Sequence, residues 1–144
     1  MHKPFYASGF LFHVATEQIL LQQTNIGDIN NLTLFRGKSH SGGDPQSVFR
    51  RCVEEAIGIP IPASSIRPVY DYVHDKLGEH FIFYVEMTDI TPKIFASKKN
   101  TAWFSLSKLT KQTMSEQTRH DIIVGLRVIQ SLMDAKNPHV NPKA

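Results

Sequence analysis

Residues 37–59, GKSHSGGDPQSVFRRCVEEAIGI, constrain the fold more than any other stretch, because both ends of one helix are written into them. Asp44 is a favoured N-cap: its carboxylate accepts a backbone N–H that the first helical turn leaves without a partner. Pro45 suits the first helical position, and Gly58 supplies a stop. A helix from about Pro45 to Ile57 is therefore expected, entered from a Gly-rich loop, RGKSHSGG. Strand-like runs precede it. FYASGFLFHV is aromatic and β-branched, ATEQ makes a turn, and ILLQQ reads as a second strand. TNIGDINN then reads as a polar loop and LTLF as a short third strand.

After the helix, IPIP and the run to Pro68 read as loop. VYDYVHD is a strand, KLGE a turn, and HFIFYVEM the clearest strand in the chain. TPKIFASKKNT reads as loop and AWFSLSKL as a strand turning outward. A last helix opens at TMSE, where Thr113 and Glu116 have capping-box spacing. Ile122, Ile123, Leu126, Ile129 and Met133 keep helical spacing, so one face of it packs on the sheet. KNPHVNPKA reads as a frayed tail, and no repeat or linker divides the chain. The expectation is one mixed α/β domain over residues 1–144, with its core at about 5–135.

Composition excludes some classes. The 144 residues can bury a core, and 41% hydrophobic with 20% charged content is ordinary for a globular chain. Cys52 is the only cysteine, which rules out an internal disulfide and a Cys-based zinc cluster and fits a reducing cytoplasm. No apolar run reaches membrane-spanning length, and MHKPFYASG has no signal-peptide pattern. A net charge of +3 leans toward anionic partners. With no helix-turn-helix extension and no aromatic-basic RNA motif, nucleic acid is not the expected partner. The seven histidines are scattered without ligand spacing, although His40 and His74 could reach a phosphate.

The order of elements, with residues 37–59, resembles the Nudix hydrolases. Their signature is G-x5-E-x7-R-E-U-x-E-E-x-G-U, where U is aliphatic. Laid on this chain without a gap, Gly37, Arg51, Glu55, Gly58 and Ile59 fall on matching positions. The opening hairpin and AWFSLSKL also look like family features, so the resemblance spans roughly residues 5–135. Gly43, Cys52 and Ala56 stand where the family has Glu, and LFRGK stands where many members have L-P-G-G-K. A shifted alignment pairs Arg50, Glu54 and Glu55 with the R and E-E positions. It needs an extra residue before Gly58 and puts Arg51 on a Glu position, so the gap-free reading is preferred.

The resemblance implies an α/β/α sandwich with a mixed sheet and hydrolysis of nucleoside diphosphate-linked compounds. In such a site Mg2+ polarises a pyrophosphate and a carboxylate activates water. Glu55 would be the remaining helix ligand, Arg51 its orienter, and Glu79 the best stand-in among Glu79, Glu86 and Asp89 for a further ligand or base. Loop 37–43, beginning at Gly37, would approach the phosphates through backbone N–H groups, with Arg36, Lys38, Lys98 and Lys99 adding charge. Trp103, Tyr70 and Tyr72 could stack on a base, although aromatic residues in strands ordinarily pack in the core. Glu54 is the other nearby acid, but it points roughly one hundred degrees from Glu55 on the helix, so both serve one ion only with strain.

The wheel also sorts the helix into two arcs. Val48, Phe49, Cys52, Val53, Ala56 and Ile57 form an apolar stripe, opposite Ser47, Arg50, Arg51, Glu54 and Glu55. Cys52 and Ala56 should therefore be buried and Glu54 and Glu55 exposed, with a surface ion pair between Arg51 and Glu55. One carboxylate plus water binds magnesium weakly, so any hydrolysis should be weak or lost. The alternative is a module that keeps the pocket and binds a nucleotide or other diphosphate without cleaving it. Oligomeric state is left open, a homodimer included.

Overall fold

In the computed structural model, residues 4–26, 29–39, 43–75, 78–88 and 101–136 are described. Strand β1 (Phe5–His13) is central, because β6 (Gly78–Met87) lies parallel along it while two antiparallel strands share its other edge. There β2 (Gln18–Ile26) pairs with Leu11–His13, and β4 (Phe35–Lys38) pairs with Tyr6–Gly9. β3 (Ile29–Thr33) and β7 (Thr101–Ser105) pair with β2, and β5 (Ile66–His74) pairs antiparallel with β6 at the opposite edge. The sheet is mixed, as expected.

Two stretches read as loops in the sequence are strands, and β5 begins at Ile66, inside the run to Pro68 that also reads as loop. TNIGDINN is not a loop throughout: Thr24–Ile26 and Ile29–Asn31 pair in register, closing the β2–β3 hairpin. Its Asn residues have weak strand preference, and backbone pairing outweighs it. Arg36–Lys38, expected in the Gly-rich loop, are the last residues of β4. Gly37 explains why a strand fits there. A Cβ on it would come within 3.0 Å of the Val48 carbonyl and 3.2 Å of Cys52 Cβ, so the missing side chain lets a helix lie close over β4.

That helix, α1, runs Pro45–Ile57 as the sequence predicts. Asp44 Oδ2 accepts from the Ser47 N–H at 3.0 Å and Oδ1 from its hydroxyl at 2.7 Å, which holds the Asp44 carboxyl below its ordinary pKa. Gly58 adopts φ 72° and donates to the Glu54 carbonyl, ending the helix. Phe49, Val53 and Ile57 are buried against Ala7, Leu11, Phe35, Phe83 and Val85, the odd-numbered face of the central strands.

The other face carries a second core, Phe10, Phe12, Ile82 and Tyr84, covered by α3 (Glu116–Lys136) through Ile122 and Ile129. Ile123 departs from the expected stripe and is exposed. The helix is capped by Ser115, whose hydroxyl accepts from the Thr118 N–H at 3.1 Å, rather than by Thr113. Thr113 instead offers its backbone carbonyl to the Leu32 N–H. AWFSLSKL divides between β7 and a short helix, α2 (Leu106–Leu109). Of KNPHVNPKA, Lys136 ends α3 and residues 137–144 lie outside the described ones. With helices on both faces of the sheet, the architecture is an α/β/α sandwich.

One irregularity in β5 has a large effect. Pro68 pairs with Phe83 and Tyr70 with Ile82, so Val69 is an extra, bulged residue. Before it, Ile66 faces the α1 side; after it, Tyr70 and Tyr72 face the α3 side.

Candidate ligand site

The solvent side of α1 holds less than its resemblance to a metal-binding helix suggests. Glu55 and Arg51 are exposed, and the expected ion pair between them does not form. The pair that does form is Arg50–Glu54, at 3.4 Å. Glu54 is half-buried rather than fully exposed, because its Oε2 accepts from the Ile61 N–H at 2.7 Å. That contact ties the segment after Gly58 back onto the helix. Glu54→Ala strands the N–H of buried Ile61 and should cost about 1–3 kcal/mol in urea denaturation, whereas Glu54→Gln, which keeps an acceptor oxygen, should cost less. An alanine variant as stable as wild type would show that the contact does not hold the segment.

Cys52 and Ala56 are half-buried, less enclosed than the wheel suggests, and both pack against the α1-side core. Burial, with the nearby Glu55 charge, pushes the Cys52 thiol up to about 11. It therefore stays protonated at neutral pH and offers no anionic ligand. Gly43 sits at φ 93°, left-handed backbone that disfavours glutamate. Glu79 is exposed at the start of β6, in register with Phe5 and Val73. Glu86 bonds Arg67 at 3.2 Å. Among the described residues, no three His, Cys, Asp or Glu side chains gather closely enough to hold a metal ion. These side chains do not fit a three-carboxylate magnesium site. His40, Asp89, Lys98 and Lys99 lie outside the described residues. Trp103 stands on β7, half-buried against the α1-side core and edge-on to His13 at 5.9 Å.

The denser constellation lies on the other face of the sheet. Register sets Lys38, Tyr6, His80 and Tyr72 side by side across β4, β1, β6 and β5. The His80 ring is stacked between Tyr6 and Tyr72, each centroid 4.9 Å away and tilted by 22° and 13°. Arg36 and Lys38 stand over the Tyr6 ring at 5.7 and 5.8 Å, within cation–π reach. Both cations are exposed, whereas His80 is 3% exposed. The next row is Arg36, Ser8, Ile82 and Tyr70. Tyr70 donates to Asp121 Oδ1 from beneath α3, and Gln117 donates to the same oxygen at 2.9 Å.

Electrostatics follow from burial. His80 is held below its ordinary pKa by desolvation first, then by Arg36 and His74, so it is neutral. Asp121 is raised by burial, against the lowering by its Tyr70 and Gln117 hydrogen bonds. Tyr70 is raised by burial and by the Asp121 carboxylate. Ser8 Oγ and His80 Nε2 are buried with no hydrogen-bond partner among the described residues. An unsatisfied buried polar group costs about 1–3 kcal/mol, so two on one patch of sheet is unusual for a purely structural surface. Chemically, the face offers two cations for an anion beside an aromatic stack, with the two unpartnered polar atoms enclosed beneath it.

The sequence pairs Arg36 with Lys38 as cations and Tyr70 with Tyr72 as aromatics but does not join the two groups, and it passes over Tyr6, Ser8, His80 and Asp121. The one available signal was alternation in HFIFYVEM, which puts His80, Ile82 and Tyr84 on one face. The parallel pairing of β1 with β6 has no local signal.

No protein-family model and no curated protein sequence matches the chain. Solved structures do. A MutT/nudix family protein from Listeria innocua superposes with a TM-score of 0.65 at 12% identity, over 94% of this chain and 97% of that one. The NUDIX domain of Shewanella oneidensis NrtR, solved with ADP ribose, gives 0.63 at 14% identity, over 90% of each chain. A MutT studied from Aliivibrio salmonicida and Vibrio cholerae gives 0.61 at 17% identity, over 81% of this chain and 89% of that one. At such low identities the shared property is the architecture: this chain has the Nudix fold.

Proposed function

We propose that the protein binds a phosphate-bearing small molecule of the nucleotide class on the α3 side of the sheet, and that magnesium-dependent cleavage of a diphosphate is weak or lost. The observation that carries this reading is the four-strand row of Lys38, Tyr6, His80 and Tyr72 with Arg36 beside it. Exposed cations bordering an aromatic stack suit a ligand that joins an anion to a planar group. The similar NrtR domain was solved with ADP ribose, a ligand of this chemical class. A hydrolase of nucleoside diphosphate-linked compounds is the second reading. Its support is that Gly37, Arg51, Glu55 and Gly58 keep the spacing of the family's loop and helix, with Arg51 and Glu55 open to solvent.

The same proposal has the chain act as one domain in the cytoplasm, as a monomer or homodimer. Among the described residues, no helix is long and apolar enough to cross a membrane.

Titration calorimetry with ADP, ADP-ribose and nucleotide sugars, with magnesium and with chelator, tests the proposal alongside an assay of product release. Binding should persist in chelator and weaken by about tenfold in Lys38→Ala or Arg36→Ala, the loss of one charge-assisted contact. Ordinary turnover that requires magnesium and disappears in Glu55→Ala would establish the hydrolase instead.

A further inference from the structure

We infer that the cleft between α2 and the first turns of α3 binds a small carboxylate that carries one apolar group, a ring or a branched chain. The cleft lies on the opposite side of α3 from Gln117 and Asp121, which bond Tyr70, so it stands apart from the nucleotide reading.

Local structure leaves this cleft open. Helix α2 is a single turn, Leu106–Leu109, and the connection after it is anchored to β3. There the Leu32 N–H donates to the Thr113 carbonyl at 2.9 Å, and Leu32 forms a parallel bridge with Met114. Arg119 Nη2 donates to the Gln112 carbonyl at 2.9 Å and ties the same connection to α3. Between the two helices remains a cavity of about 170 Å³, walled by Leu106, Leu109, Met114, Ile122, Ile123 and Leu126. Ile123 is 44% exposed, so this wall meets solvent. An apolar cavity of roughly 150 Å³ accepts benzene. This one therefore has room for a phenyl ring or a branched alkyl group, and not for a row of side chains from a partner helix.

Arg119 also lines the cavity and sets the charge of its occupant. It is half-buried, and a guanidinium is a permanent cation. No described carboxylate pairs with it; Glu116, one turn back, is exposed and makes no ion pair with it. The bond to Gln112 uses one N–H donor and leaves others for a planar anion. A half-buried cation beside an apolar cavity complements an anion joined directly to an apolar group, and a carboxylate matches the guanidinium fork. One cation balances one negative charge, which favours a monoanion over a phosphate ester.

Calorimetry would compare phenylacetate and hexanoate with phenylacetamide and hexanamide, which keep the apolar group without the charge. Acetate keeps the charge alone. At least one larger carboxylate should bind wild type about tenfold more tightly than its amide, the worth of one charge-assisted contact. Acetate binding should not be detected. Arg119→Met should bring carboxylate and amide to equal affinity. Ile123→Trp, at a solvent-facing position, should fill the cleft and abolish binding of the carboxylate without lowering the melting temperature. In methyl spectra, Ile123 and Leu109 should shift with phenylacetate, and Ile82, beneath Tyr70, should not. Equal binding of amide and carboxylate, a preference that survives Arg119→Met, or shifts at Ile82 instead would overturn the assignment. Absence of binding by every compound would do the same. So would a wild-type dimer that Ile123→Trp disperses in sedimentation, since a second copy would then cover the cleft. None of these outcomes bears on nucleotide binding, which the Arg36 and Lys38 variants test separately.

Discussion

Gly9→Ala should leave no stably folded protein under conditions where wild type is folded. A Cβ at this position would lie 2.0 Å from the Phe83 carbonyl oxygen and 2.9 Å from Phe49 Cε1. The first obstacle is backbone of the parallel partner strand, so no side-chain rotation relieves it. The second is the ring by which α1 rests on the sheet, stacked on Phe83 at 5.6 Å. Relief requires separating β1 from β6 or lifting α1, and either opens the α1-side core. A loss above about 4 kcal/mol is expected, against a total stability of roughly 5–15 kcal/mol for a domain. Soluble yield, circular dichroism and a urea melt read it out. Gly125→Ala is the companion. Its Cβ would press on the buried Phe10 ring at 2.7 Å and touch Val69 at 3.7 Å, side chains rather than backbone, so a smaller loss of about 1–3 kcal/mol is expected. A Gly9→Ala protein with the wild-type urea midpoint would mean that β1 and β6 are not spaced as described.

Restoring acids to α1 should convert it into a magnesium-dependent element. Cys52→Glu with Ala56→Glu places three carboxylates, at 52, 55 and 56, on one side of the helix, and hard oxygens in number are what magnesium needs. A gain in magnesium affinity of roughly tenfold or more is expected from the added ligand charge. Both positions are half-buried beside the core, so uncompensated charges there should lower the melting temperature in chelator and magnesium should restore it. Adding Gly43→Glu completes the family set, but its φ of 93° predicts a further strain of about 1–3 kcal/mol and a correspondingly lower melting point. Calorimetry and thermal melts with and without chelator decide the matter. A folded double variant with wild-type magnesium affinity would mean that this side of α1 does not face a metal pocket.

Several local signals are legible in the sequence, although the capping-box spacing of Thr113 and Glu116 points two residues away from the actual cap, Ser115. Asp44, Pro45 and Gly58 carry their own conformational preferences, so the bounds of α1 could be read from single residues. Aromatic and β-branched residues likewise mark β1 and β6. The residues TNI and INN gave the wrong impression because their pairing partners, not their own preferences, make them strand. Gly37 looked like a loop residue, yet its role in packing belongs to the contact between β4 and α1. Glu54 looked free on a wheel, which shows a helix and not the segment that folds back onto it. The row from Lys38 to Tyr72 depends on four strands being in register, and no window of the sequence contains all of them.

The bulge at Val69 also has a genetic consequence. Tyr70 lies opposite Ile82 and Tyr72 opposite His80, so both rings share a face with the residues they oppose. Val69 is the residue without a partner, and losing its codon would bring Pro68 and Tyr70 into consecutive pairing with Phe83 and Ile82. Tyr70 would still face Asp121, and Tyr72 would still cover His80. In mutational terms, position 69 is a place where this edge strand can absorb a change of length without moving the rings that follow it.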